Sequence, residues 1–210
     1  MNKLGDLSCN EFLTELASAA PAPGGGGGAA MAGALAAALA SMVANLTIGK
    51  EKFAEREPEV KELLKQAEAE RVRLLQLADD DAAVFNSFMS CYKLPKTTDE
   101  EKAARTAAIR AAAKQAATVP LNIARSSFAV LKLADRLVVS GNPGVITDGA
   151  CSGLLARAAL RCAEYNVRIN LGLTKDEVWN VQAAAELEQL LADAEAVENR
   201  LLTVTDKALQ

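Results

Sequence analysis

Two stretches of this 210-residue chain carry residue types that could do chemistry. One is the triplet Asp79, Asp80 and Asp81; the other is Pro21-Ala22-Pro23 followed by the five glycines Gly24 to Gly28. The aspartates sit in a helical pattern. At about 100° per residue, Asp81 shares the direction of Leu74, Ala78 and Phe85, Asp79 lies just beyond the other edge of that apolar stripe, and Asp80 points to solvent. A carboxylate aimed into or beside a core is paired, protonated or functional, because burial without a partner is costly. A carboxylate satisfied by a neighbouring helix end or an arginine and a functional one are both compatible with the pattern. The Pro/Gly run offers only backbone and is expected to be a loop, with the alanine-rich segment after it a helix from about 29 to 48. Such a loop delivers unpaired N–H groups to the positive end of a helix, which suits an anion, or it serves as a flexible turn. It is not a P-loop: the only Gly-Lys, Gly49-Lys50, comes a whole helix later.

Composition removes several classes. The chain has no histidine, which excludes a Ser-His-Asp triad, a Cys-His pair and a histidine-ligated metal. A net charge of −4 without a block of one sign argues against nucleic acid as a partner. Cys9, Cys91, Cys151 and Cys162 are widely spaced, with no C-x-x-C, and are expected to be small buried apolar residues in a reducing cytoplasm. No signal peptide is visible, since Glu11 and Glu15 precede the apolar run. Residues 29–48 approach the length of a membrane span. Ala and Gly dominate them, Asn45 and Thr47 lie within them and no aromatic belt flanks them, so a buried core or dimer helix is expected and a membrane is not.

The elements that must position these residues all read as helices. The first covers about 9–20 with Asn10 as cap, and the second 29–48 with Leu35, Leu39, Met42 and Leu46 on one face and Asn45 at its edge. A long helix follows over 58–92, with Pro58 in its first turn and a Glu57–Lys61 pair. The next opens with the capping box Thr98…Glu101 and ends near Val119, where Pro120 marks a boundary; another covers 121–139. Thr147 or Asp148 could cap a helix over 148–171. There Asp148, Cys151, Ser152, Leu155, Ala159, Cys162, Asn166, Ile169 and Asn170 project one way, and Arg157, Arg161, Glu164 and Arg168 the other. The first face suggests a polar pocket or a close helix crossing, and the arginine row a solvated face. A last helix runs from a capping pattern at Thr174 to about 205. No strand pattern occurs, so residues 1–210 are expected to form one all-α, antiparallel bundle-like domain.

With these residues in view, the sequence resembles the formiminotetrahydrofolate cyclodeaminase and methenyltetrahydrofolate cyclohydrolase family. The matching segments are FLTELASAAPAPGGGGGAA, SMVANLTIGKEKF, ADDDAAVFNSFMSCYKLPKTTDEEKAAR, ATVPL, SGNPGVITDGA and NVRINL, in family order over nearly the whole chain. The resemblance implies a helical homodimer in the cytoplasm that acts on a folate substrate without metal or other cofactor. It implies a catalytic aspartate within residues 78–85; helical phase selects Asp81, and Asp79 also fits. The family loop usually reads Pro-Gly-Gly-Gly-Ser, and here Gly27 replaces the serine. Stand-alone bacterial cyclohydrolases share that feature and the missing transferase domain, which favours hydrolysis of 5,10-methenyltetrahydrofolate to 10-formyltetrahydrofolate. Cyclodeamination of 5-formiminotetrahydrofolate is the alternative, and a non-catalytic folate-binding dimer the second. Candidate substrate contacts are Pro23, Gly24, Gly25, Gly26 and Gly27, with Lys50, Lys93 or Arg168 for the glutamate or polyglutamate tail. Asn45, Asn166 and Asn170 are candidates for the pterin or amide groups, and Asp148 is a further candidate substrate contact.

Overall fold

The computed structural model describes residues 3–210. Among them are six α-helices: α1 Cys9–Leu16, α2 Gly25–Asn45, α3 Glu57–Cys91, α4 Asp99–Ser140, α5 Ile146–Thr174 and α6 Glu177–Ala208. Short 3-10 turns lie at Leu4–Asp6, Glu51–Arg56 and Pro143–Val145, and no strand occurs among the described residues. The chain is the expected all-α bundle.

Helix α2 lies at its centre, against α3, α4 and α5. It runs antiparallel to α3, with Gly26 beside Asp81 and Gly33 beside Leu74. It is also antiparallel to α5, whose Ser152 hydroxyl donates to the Ala36 carbonyl at 2.7 Å. Helices α4 and α5 are antiparallel in turn, with Val138 against Gly149 at one end and Ala116 bonded to Asn170 at the other. Helix α6 runs parallel to α4, tied to it by Lys114–Asp176, Arg125–Glu186 and Asp135–Arg200.

Close approach explains the alanine content. Ala30, Ala36, Ala37, Ala40 and Ala44 of α2 are fully buried. A Cβ on Gly33 would stand 3.1 Å from both Leu74 Cδ2 and Ser127 Oγ. Larger side chains at these positions would hold the helix axes apart. Leu35, Met42 and Leu46 therefore face outward, Leu35 being 56% exposed, so the leucine face is not the core face. Helix α2 is long and apolar enough to cross a membrane, yet 61% of its most apolar window is buried inside the bundle.

Several sequence expectations are corrected. Pro120 does not end a helix; α4 runs through it. Ser8, not Asn10, caps α1, in a capping box with Glu11, and α1 ends at Leu16. Helix α5 starts at Ile146 without a side-chain cap, so neither Thr147 nor Asp148 caps it. Asp176 rather than Thr174 caps α6, accepting from the Trp179 N–H. Cys9, Cys151 and Cys162 are exposed and Cys91 half-buried, because their helix faces turn away from the core. The Thr98–Glu101 capping box and the Glu57–Lys61 pair, at 2.7 Å, are present.

Candidate active site

The glycine run is not a loop. Gly25 opens α2, and the Gly28 N–H donates to the Gly24 carbonyl at 2.9 Å, so Gly25 to Gly28 form its first turn. Glycine is a poor helix former, but here tertiary contact decides. A Cβ on Gly26 would overlap the Asp81 carboxylate, standing 2.7 Å from Oδ2. Absence of a side chain is what admits α3 so close to the start of α2.

Gly24 has no side chain with which to cap α2. The N–H groups of the first turn have no partner within the helix. The Asp81 carboxylate of α3 lies against this turn, beside Gly26. Burial pushes the Asp81 carboxyl up from the ordinary 3.8, the neighbouring Gly27 N–H pulls it down, and burial prevails. The group is thus a desolvated carboxyl at the positive end of a helix dipole, one that keeps its proton to higher pH than a free aspartate does.

Asp81 opens into a cavity of about 200 Å³ lined also by Gly24, Gly25 and Gly26 of α2, Val84, Phe85 and Phe88 of α3, Ala116 and Val119 of α4, and Asn166, Ile169 and Asn170 of α5. Among the described residues, Asp81 is its only charged lining residue. Gly25 lies against Asn166; a Cβ there would be 3.5 Å from Asn166 Nδ2. That Nδ2 donates to the Cys162 carbonyl at 2.9 Å. Asn170 Nδ2 donates to the Ala116 carbonyl at 2.7 Å and to the Asn166 carbonyl at 2.8 Å. Both N–H groups of Asn170 and one of Asn166 are thus spent on backbone, which orients the amides with their oxygens as acceptors. The cavity combines a carboxylate, two amide acceptors, helix N–H groups and an aromatic wall, an arrangement that can hold a flat cationic group and take a proton from it or from water.

The structure therefore brings together Asp81, Gly24, Gly25, Gly26, Asn166 and Asn170. Asp79 faces elsewhere: it accepts from the Leu4 N–H at 2.6 Å and lines a separate cavity of about 480 Å³ with Pro23, Glu15 and Gln76. Pro23 is buried behind Gly27, whose added Cβ would lie 3.4 Å from Pro23 Cβ. Asp80 is half-buried and accepts from Gln76 at 2.9 Å, rather than standing free in solvent. Asn45 lies at the far end of α2, roughly 30 Å from Gly25 by helical rise. Lys50 follows it, and Asp148, in the first turn of α5, lies roughly 27 Å from Asn166. Within one chain none of these three reaches Asp81. Lys93 is exposed beyond the end of α3, and Arg168 is held by Glu164 and Glu188 at 2.8 and 2.6 Å. The aromatic wall could have been found from spacing, since Val84, Phe85 and Phe88 follow Asp81 at i+3, i+4 and i+7. Nothing local marks Ala116 or Val119.

A helical bundle whose central helix starts against a half-buried carboxylate has the makings of an acid–base site. Comparison with known proteins makes the class specific. The formiminotransferase-cyclodeaminase family model matches residues 8–189. The chain is 45% identical to methenyltetrahydrofolate cyclohydrolase of Methylorubrum extorquens, over 94% of this chain and 95% of that one. It is 33% identical to formimidoyltransferase-cyclodeaminase of Rattus norvegicus over 90% of this chain, spanning 35% of the rat protein. The crystal structure of formiminotetrahydrofolate cyclodeaminase from Thermotoga maritima superposes with a TM-score of 0.88 at 30% identity, covering 98% of both chains. The chain belongs to the formiminotransferase-cyclodeaminase family.

Proposed function

We propose that this protein is a methenyltetrahydrofolate cyclohydrolase, converting 5,10-methenyltetrahydrofolate to 10-formyltetrahydrofolate with Asp81 as general base. The observation that carries the reading is Asp81 itself: the sole charge in the cavity, desolvated, and held at a helix N-terminus. The substrate's bridging carbon belongs to a cationic amidinium. The carboxylate stabilises that cation and orients a water against it. As the water oxygen bonds to carbon, its proton passes to Asp81, giving a neutral carbinolamine. Asp81 then returns the proton to N5 as the C–N5 bond breaks. The carbinolamine hydroxyl loses its proton to become the formyl oxygen, so one water is consumed and one proton released overall.

The cavity, at about 200 Å³, is smaller than the roughly 300 Å³ or more of pockets that enclose a whole drug-sized ligand. It suits the reacting fused rings, with the aminobenzoyl-glutamate arm extending outside. The reading includes a homodimer. Leu35, Met42, Leu154 and Tyr165 leave apolar surface open on neighbouring α2 and α5, and Ile169 is 71% exposed while lining the cavity. A second copy over this face would shield the site from water.

The test is to follow the near-ultraviolet band of 5,10-methenyltetrahydrofolate in a weakly catalytic buffer. Accelerated loss with formation of 10-formyltetrahydrofolate is expected. No acceleration over the protein-free control overturns the assignment. The likeness to the Thermotoga maritima structure favours 5-formiminotetrahydrofolate as the second substrate to offer, with ammonia release as the readout.

A further inference from the structure

Pro120 stands inside α4, where proline is ordinarily destabilising. It lacks the N–H that would close the helical hydrogen bond to the carbonyl four residues earlier, and its ring crowds that same carbonyl. Four residues earlier is Ala116, and its carbonyl accepts the Asn170 Nδ2 at 2.7 Å. Ala116 and Asn170 both line the Asp81 cavity. Pro120 is buried and lies outside that lining, so it acts only through its neighbours. The helix loses one internal bond, and the released acceptor is the one that orients a cavity amide.

We infer that Pro120 is a positioning residue of the site: by leaving the Ala116 carbonyl without its helical donor, it secures the Asn170 amide with Oδ1 as a fixed acceptor beside Asp81. The inference rests on the proposed folate reaction for its functional meaning. Asn170 then serves the substrate's N–H groups or its cationic ring as an uncharged acceptor. A glutamine, with one more methylene, or an aspartate, which cannot donate to Ala116, would not reproduce the arrangement.

The test uses Pro120→Ala, Asn170→Ala and the double variant in the full chain. Alanine is the better helix former, so Pro120→Ala is expected to fold with an equal or higher Tm. Its new N–H competes for the Ala116 carbonyl, and kcat/KM is expected to fall on the order of tenfold, the scale of one lost uncharged hydrogen bond. In the double variant the losses should not multiply, because both changes break the same contact. A Pro120→Ala enzyme with wild-type kcat/KM, or fully multiplicative losses, would overturn the inference. A second readout is independent of turnover. The Asn170 side-chain NH₂ resonances should be protected from solvent exchange in the wild type and lose protection in Pro120→Ala; equal protection overturns the positioning role. Should the wild type turn over neither folate, the functional reading fails while the exchange measurement still decides whether Pro120 holds Asn170.

Discussion

The Asp81 carboxylate occupies the space where a side chain on Gly26 would begin, so that a Cβ there would stand 2.5 Å from Asp81 Cγ. One turn of glycine thus joins the central helix to the carboxylate of its neighbour. Gly27, the next residue, is different: its Cβ would make ordinary contact with Pro23 at 3.4 Å. Gly26→Ala is expected to displace Asp81, lowering kcat/KM by about a hundredfold, the scale expected for a catalytic group moved by about 1 Å. The atoms in the way belong to the end of the Asp81 side chain, which can swing aside, so the gain of about 1 kcal/mol in helix propensity is expected to keep or raise the Tm while activity falls. Gly27→Ser should leave activity intact and keep or raise the Tm. Steady-state kinetics and thermal melts of the two variants check the contrast.

Asp81→Asn keeps the shape and an acceptor for the Gly27 N–H but cannot take a proton. Turnover should fall by about 10²–10⁴-fold, the usual contribution of a positioned general base. Stability should not fall. The folded state holds the Asp81 proton more tightly than the unfolded state does, because burial raises its pKa. That advantage is complete below the ordinary value of 3.8 and is lost as pH rises through the raised one. At neutral pH the wild type therefore carries the cost of a desolvated charge that the asparagine variant lacks. A Tm at pH 7 equal to or above the wild type, with native circular dichroism, is expected.

The same shift shapes the pH profile. The active form is the carboxylate, so kcat/KM should rise with pH through an inflection above the ordinary aspartate value. Binding of a cationic substrate favours the ionised form. The inflection in kcat should accordingly lie lower than that in kcat/KM. Initial rates across the acid range, corrected for the buffer reaction, give both.

Asp135 of α4 is buried and accepts from Arg200 of α6, whose Nε lies 2.8 Å from Oδ1. Arg200→Met removes the exposed partner and strands the buried carboxylate. Unfolding free energy should fall by about 1–3 kcal/mol, the cost of an unsatisfied buried polar group, moderated by the solvent that reaches Arg200. Adding Asp135→Asn should restore part of the loss, as denaturant titration would reveal. Activity per folded molecule should not change, since neither residue lines the Asp81 cavity.

Much was legible in the chain itself. Helical phase alone separated Asp81 from Asp79, because two residues on a helix differ by about 200°, and the structure places the two in different cavities. Alanine and leucine content, the Thr98–Glu101 capping box and the lack of strand patterning pointed to an all-α bundle, since these are properties of the local backbone. The ordered segments from FLTELASAAPAPGGGGGAA to NVRINL pointed to the family.

What local pattern could not decide was set by packing between helices distant in sequence. Glycines that read as a loop became a helical turn packed directly against Asp81 of α3, where a side chain on Gly26 would not fit. The proline that read as a helix end stayed inside α4, its missing hydrogen bond leaving a carbonyl for Asn170 on α5. The leucine face of α2 turned outward because only alanine and glycine permit three helices to approach the fourth so closely. Asn45, Lys50 and Asp148, plausible by type, stand a helix length from the carboxylate. Residue type and spacing determined which groups could act; the distances between separate helices decided which of them share one site.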